Sequence, residues 1–175
     1  MGCCFDIRTL SKNHGLITID WGDGNVNTSS DNAKCITKSE DESGYKYLFS
    51  HEYNKAGKYI VKIYGDCYQI RTYGGNYTNS IVSKVFDADL PIGKNIRNLS
   101  SGCAKNYRLL AINVPDYYEC NVTNIVSLFS QCYNLLDVKI GKYNFFIHNT
   151  FVATGRVFNN CVSLKHSDFR LPTNC

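Results

Sequence analysis

The sequence predicts a mainly β chain with short helices: a small β-sandwich over residues 1–75 and a short solenoid of about three repeats over residues 76–175. Three observations predict it. The N-terminal part consists of short β-branched and aromatic runs divided by Gly- and Asp-rich turns, the pattern of a sandwich. Cys103, Cys132 and Cys161 recur at a step of 29 residues, twice. Each cysteine closes a set of residues at offsets 0, 3, 4 and 7, one face of an α-helix: Ile96, Leu99, Ser100; then Ile125, Leu128, Phe129; then Thr154, Val157, Phe158. An internal period of this size marks stacked units that cannot bury their apolar faces alone.

Cys3 and Cys4 read as strand residues at the N-terminus. Leu16–Trp21 is a strand pattern that runs into the turn Gly22-Asp23-Gly24-Asn25. A polar stretch from Asn27 to Gly44 reads as a long loop with one short edge strand around Cys35-Ile36-Thr37. Tyr45–Phe49 reads as a strand, and Ala56-Gly57 as the turn before Lys58–Tyr64. In that last run Tyr59, Val61 and Ile63 share a face by alternation, and Cys67–Arg71 supplies one more strand.

Ile19-Asp20-Trp21-Gly22-Asp23-Gly24 resembles the W-D-F-G-D-G signature of PKD domains, a family of immunoglobulin-like sandwiches. His51-Glu52-Tyr53 with Ala56-Gly57-Lys58-Tyr59-Ile60-Val61 is similar to that family's second signature, H-x-Y-x-x-x-G-x-Y-x-V. The likeness covers roughly residues 5 to 65, with Ile19 where the family has Trp and Trp21 where it has Phe. Trp21 is expected to anchor the sandwich core, and His51 to act as a core or turn hydrogen-bonding residue. Asp20 and Asp23 offer oxygens of the kind calcium takes, but an Asp at this place more often caps the turn. No metal or cofactor is expected.

In the second half each cysteine is followed by a strand pattern: Leu109–Val114, Leu135–Ile140 and Leu164–Phe169, with Ile81–Phe86 as an earlier copy. The first connector, Cys103 to Leu109, is three residues longer than Cys132 to Leu135, and reads as a loop insertion. Phe129-Ser-Gln-Cys132-Tyr-Asn-Leu135 and Phe158-Asn-Asn-Cys161-Val-Ser-Leu164 resemble the F-x-x-C-x-x-L unit of BspA-type leucine-rich repeats, over about residues 80 to 172. The first copy departs from it, with Ser100 in place of Phe and a displaced Leu. The repeat positions Leu99, Leu128, Phe129, Phe158, Cys103, Cys132 and Cys161 are expected to be inward packing residues, with the thiols acting as small hydrophobes. The resemblance implies surface binding and carries no catalytic residues.

Composition excludes several classes. The 43% hydrophobic and 13% aromatic fractions are those of a folded chain. The net charge of +4 is mild and Lys and Arg are scattered, so no nucleic-acid partner is expected. No run approaches 18 apolar residues, so no membrane insertion is expected. Met1–Asp6 lacks the basic start and apolar core of a secretory signal, and Asp6 stands where myristoylation wants Ser or Thr. Nine cysteines, an odd number without a C-x-x-C pair, argue against a disulfide scaffold or structural zinc and for reduced thiols.

No H-E-x-x-H, G-x-S-x-G, P-loop or G-x-G-x-x-G motif occurs, and His14, His51, His148 and His166 are dispersed. The expected function is therefore that of a non-enzymatic binding or adhesion module for a protein or glycan ligand. Its candidate contacts are the outward strand positions Asn113, Asp137, Lys139 and Asp168, with Tyr117, Tyr118 and Tyr143 in connecting loops. The 13 tyrosines suit a recognition surface because they bring contact area at low entropic cost, although many of them also read as ordinary strand residues. The alternative is a structural accessory protein of a phage virion, a head or tail decoration or fibre subunit. It would self-associate or dock through Pro172–Cys175 or the N-terminus. The expected location is accordingly a virion assembled in a bacterial cytoplasm, or a cell surface of whose protein this chain is a fragment.

Overall fold

The structure, a computed structural model, describes residues 2–9, 16–31, 36–41, 44–72, 87–89, 96–114, 122–140 and 153–167. The chain is mainly β. β1 (Gly2–Thr9), β4 (Ile36–Asp41), β5 (Gly44–Glu52) and β7 (Gln69–Thr72) form one antiparallel sheet in the order β4-β5-β1-β7. β2 (Thr18–Asp20), β3 (Val26–Thr28) and β6 (Lys62–Tyr64) form a second, in the order β3-β2-β6. The alternation of β1 puts Phe5 and Ile7 into the core beside Phe49 of β5 and Ile70 of β7. Ile17, Ile19 and Trp21 fill the same core from the second sheet, and Tyr59, Val61 and Ile63 pack on it from one face of their run. On the other side of β1, Asp6 is buried with Arg8 Nε at 3.8 Å and Lys46 Nζ at 3.7 Å. The polar stretch holds two edge strands instead of the one expected: its first residues, Asn27 and Thr28, belong to β3, and β4 is longer than the three residues expected.

The turn after Trp21 demands glycine. Gly22 has φ +77°, and a Cβ there would lie 2.5 Å from the Ile60 carbonyl oxygen.

β8 (Asp87–Asp89), β9 (Ala111–Val114), β10 (Asp137–Ile140) and β11 (His166–Ser167) form a third sheet, parallel throughout, in the order β8-β9-β10-β11. Residues 81–86, the expected earlier strand, lie outside the described residues, and the strand next to β9 is Asp87–Asp89. A second ladder of parallel bridges, Gln69–Asn98–Asn124–Ala153, runs along the other side of the stack. Its first rung is in β7, so the antiparallel part and the stacked units share a strand. Their buried residues form one continuous core.

Among the described residues there is no α-helix, and this corrects the short helices expected at 96–103, 125–132 and 154–161. Those segments are runs of tight turns. Every second amide donates to the next unit: Leu99 to Asn124 O, Ser101 to Val126 O, Cys103 to Leu128 O and Lys105 to Ser130 O, all at 2.8–2.9 Å. The next unit repeats this from Ile125, Ser127, Phe129 and Gln131. The amides in between reach back three residues, as Leu128 N does to Ile125 O and Cys132 N to Phe129 O (both 3.1 Å). A helix would need bonds across four residues. Ser101, Lys105, Ser127, Gln131, Arg156 and Asn160, at φ +55° to +63°, interrupt any helix four residues apart. Offsets 0, 3, 4 and 7 fit both structures over a short span. The buried set continues at Val122 and Leu135, so it consists of two triplets at steps of three, Val122-Ile125-Leu128 and Phe129-Cys132-Leu135, set one residue apart.

The left-handed positions give a test with a diagnostic sign. A non-glycine residue there costs about 1–2 kcal/mol, whereas glycine inside a helix costs about 1 kcal/mol relative to alanine. Gln131→Gly is expected to raise stability by about 0.5–1 kcal/mol in urea unfolding, after glycine's larger chain entropy is counted. A loss of that size would mean a helix.

The register of the first unit also differs from expectation. Ala111 pairs with Asp137 and Asp137 with His166, so the step is 26 residues and then 29. The bridges from Asn98 to Asn124 and from Asn124 to Ala153 keep the same steps. Cys103 is therefore the equivalent of Phe129 and Phe158, and Asn106 that of Cys132 and Cys161. Leu109 is not displaced, and the connector has no insertion. Leu99 matches Ile125, and Leu128 matches Gly102. Cys132 Sγ donates to Cys103 O and Cys161 Sγ to Phe129 O, both at 3.0 Å, which are matching bonds one unit apart. The equal cysteine spacing is a coincidence of a shorter first step and a three-residue change of position.

The first unit is pared down because it abuts β7. A Cβ on Gly102 would lie 3.0 Å from Leu99 O, 3.1 Å from Leu128 Cδ1 and 3.4 Å from Ile70 O. Asn106, fully buried in the thiol row, has no hydrogen-bond partner for either side-chain amide atom among the described residues. Leaving such a group unsatisfied costs about 1–3 kcal/mol. Asn106→Cys, which restores the residue of the other two units, is expected to stabilise by an amount in that range, read as a higher midpoint of thermal unfolding. A lower midpoint would mean that the amide is satisfied.

Candidate functional site

The parallel sheet sets the candidate surface. Ile112 and Val138 are buried, so their neighbours point outward by strand alternation. Register puts Asp87, Ala111, Asp137 and His166 in one row, and Asp89, Asn113 and Lys139 in the next. Three of the expected contact residues, Asn113, Asp137 and Lys139, thus fall together on one face. Asp168, Tyr117, Tyr118 and Tyr143 lie outside the described residues. Asp137 sits between His166 and Lys139, with His166 Nδ1 at 3.2 Å from Oδ1 and Lys139 Nζ at 3.6 Å from Oδ2. These side chains are solvated, so the pairs add little to stability.

A strip that the sequence reading missed runs along the side of this face. It is made by the turn that leads from the inward thiol row into each strand. Tyr107 stacks on Tyr133 (centroids 5.3 Å apart, planes at 9°), and Asn134 Nδ2 ties the two units by donating to Tyr107 O. Leu136 N donates to Leu110 O at 2.9 Å and Lys165 N to Leu136 O at 3.1 Å, which lines these three residues up across the units. Val162 continues the Tyr position. Tyr107, Leu110, Tyr133, Leu136 and Val162 are exposed by 37, 43, 39, 39 and 78%. Contiguous exposed apolar side chains of this kind mark interaction surfaces. The signal was present in the sequence: Tyr107-Arg-Leu-Leu110 and Tyr133-Asn-Leu-Leu136 are the same motif at the 26-residue step.

A second cluster lies in the antiparallel part. His51 Nε2 donates to Asp23 Oδ2 (2.8 Å), and its ring stacks on Trp21 (4.9 Å) and meets Tyr53 edge-on (4.7 Å). Tyr53 stacks on Tyr59 (4.1 Å) and donates to Trp21 O (3.0 Å). Burial opposes ionisation of Asp23, but the hydrogen bonds from His51 and Asn25 outweigh it and hold its carboxyl below the usual range. Asp20 Oδ1 caps Gly22 N (2.9 Å) and Asp23 Oδ1 caps Asn25 N (3.1 Å), so both carboxylates are used by the turn. The cluster clips this turn to β5.

Among the described residues, no disulfide joins Cys3, Cys4, Cys67, Cys103, Cys132 or Cys161. Burial pushes Cys4 up to about 11, with Asp6 adding to it, and pushes Cys67 and Cys103 up to about 12. These are unreactive packing thiols. Among the described residues no three or more His, Cys, Asp or Glu side chains are grouped to hold a metal ion, and no helix is long and apolar enough to cross a membrane.

Comparisons with protein-family models, curated proteins and solved structures find no match.

Proposed function

We propose that this chain is a non-enzymatic binding module. In this reading an immunoglobulin-like sandwich of the PKD type abuts a short leucine-rich-repeat-type solenoid. The solenoid presents its outer face to a protein or glycan ligand on a surface. The observation that carries the reading is the exposed strip of Tyr107, Tyr133, Leu110, Leu136 and Val162 beside the polar row of Asn113, Asp137 and Lys139. Polar and aromatic groups held on a rigid stack suit recognition more than chemistry.

The test compares wild type with Tyr133→Ser/Leu136→Ser in binding to a glycan array and to intact bacterial cells. Both substituted side chains are exposed, so the fold should survive, and circular dichroism checks this. Binding by wild type that falls at least tenfold in the variant is expected. Binding that the variant retains in full would move the site elsewhere.

Buried cysteines outside disulfides, such as Cys67, Cys103 and Cys132, favour a second reading, a structural accessory subunit of a phage virion assembled under reducing conditions. Sedimentation distinguishes it: such a subunit forms a defined oligomer, and a monodisperse monomer speaks against it.

A further inference from the structure

We infer that the strip takes an acidic, apolar polypeptide segment lying across the stacked units. This rests on the binding-module reading and narrows its ligand. Charge is the first support. The described residues of the stacked units, 87–89 and 96–167, include six Lys and Arg, Arg97, Lys105, Arg108, Lys139, Arg156 and Lys165, against three Asp, Asp87, Asp89 and Asp137. Of these, Asp137 is already engaged by His166 and Lys139. Two of the cations belong to the strip itself. Arg108 follows Tyr107 in the exposed turn, and Lys165 is the third member of the Leu110–Leu136–Lys165 line. Both are exposed, and neither is paired with a carboxylate among the described residues. A partner seated there would meet a cation at each end of an apolar row, which favours carboxylates flanking apolar side chains.

The apolar groups decide between a peptide and a sugar. Glycans stack on open aromatic faces, and Tyr107 and Tyr133 each spend one of their two faces on the other. The rest of the strip, Leu110, Leu136 and Val162, is aliphatic, which suits apolar side chains. Neighbouring strands lie about 4.8 Å apart, so the strip spans three units and is long enough for only a few extended residues. Such a segment reaches modest affinity alone and is best as part of a larger contact.

The test pans a displayed library of random dodecapeptides on the immobilised full chain. Selected peptides are then measured against wild type, Arg108→Glu/Lys165→Glu and Tyr133→Ser/Leu136→Ser. The expected result is enrichment of Asp or Glu beside apolar residues, with binding falling at least tenfold in both variants and weakening as salt is raised. Enrichment without acidic residues, or acidic peptides indifferent to the charge reversal, would overturn the inference. Peptides that bind no better than polyglutamate would also overturn it, because charge alone then suffices. A glycan lost in Tyr133→Ser/Leu136→Ser, with no peptide selected, would overturn this inference and leave the binding-module reading standing.

Discussion

Trp21→Ala will remove about 3–5 kcal/mol of stability, the range for deleting a large buried aromatic. Trp21 is fully buried where the two antiparallel sheets meet, with Phe5 at 6.0 Å and the His51 ring stacked at 4.9 Å. Its indole Nε1 donates to Asn27 Oδ1 at 2.8 Å, so the substitution also strips a partner from β3. Its carbonyl, which accepts from Tyr53, remains, but the ring that positions His51 is gone. For a chain of 175 residues each kcal/mol corresponds to about 2–4 °C of melting temperature, so a fall of about 6–20 °C is expected by calorimetry. Trp21→Phe keeps most of the apolar volume and the stacking and should lose less than half as much. Equal losses in the two variants would mean that the hydrogen bond to Asn27, and not the packing, is what Trp21 provides. The effect should also reach the stacked units, because β7 joins both parts and the core is continuous across them.

The mainly β class and most strands could be read from alternation and turn chemistry. Lys58–Tyr64 shows this for its inward face, Tyr59, Val61 and Ile63, although only Lys62–Tyr64 is a strand. The stacked segments could not, because their hydrogen bonds are mostly to other units. A residue such as Ser127 or Gln131 carries no mark of the left-handed conformation it adopts, since neighbours one unit away impose it. The step was misread for a related reason. Cys103 and Cys132 are chemically alike but fill different rows, and Asn106 conceals the true match because it stands where the other units have sulfur. The candidate surface was half legible. Outward strand positions follow from period two, which found Asn113, Asp137 and Lys139. Leu110 and Leu136 were concealed by adjacent Leu109 and Leu135, which are buried while they are not.

Raising the pH will unfold the protein cooperatively between about pH 10 and 12, and the buried thiols are the cause. An unfolded thiol ionises near its ordinary value of 9.0, whereas burial holds Cys4 protonated up to about 11 and Cys67 and Cys103 up to about 12. Burial raises Cys132 and Cys161 as well, and Tyr53 in the antiparallel core. The sign follows from proton counting. Above pH 9 the unfolded chain binds fewer protons than the folded one, so the thiols' contribution is whole below pH 9 and is lost as pH rises through 11 to 12. A rise of two to three units is worth about 3–4 kcal/mol for each thiol. Three such groups together approach the 5–15 kcal/mol that holds a typical domain together. Urea unfolding followed by circular dichroism, in a phosphine reductant, should show stability falling by at least about 4 kcal/mol per pH unit above about pH 9, the worth of the three protons on Cys4, Cys67 and Cys103, with Cys132 and Cys161 adding to it. Cys67→Ala/Cys103→Ala should start less stable at pH 7, because it leaves small cavities. It should nonetheless have a shallower slope, with about one proton remaining from Cys4 and any further slope from Cys132 and Cys161. That crossing of intercept and slope separates proton linkage from simple loss of packing. A wild-type profile that stays flat to pH 11 would mean that the thiols reach solvent and that the interior of the stack is not dry.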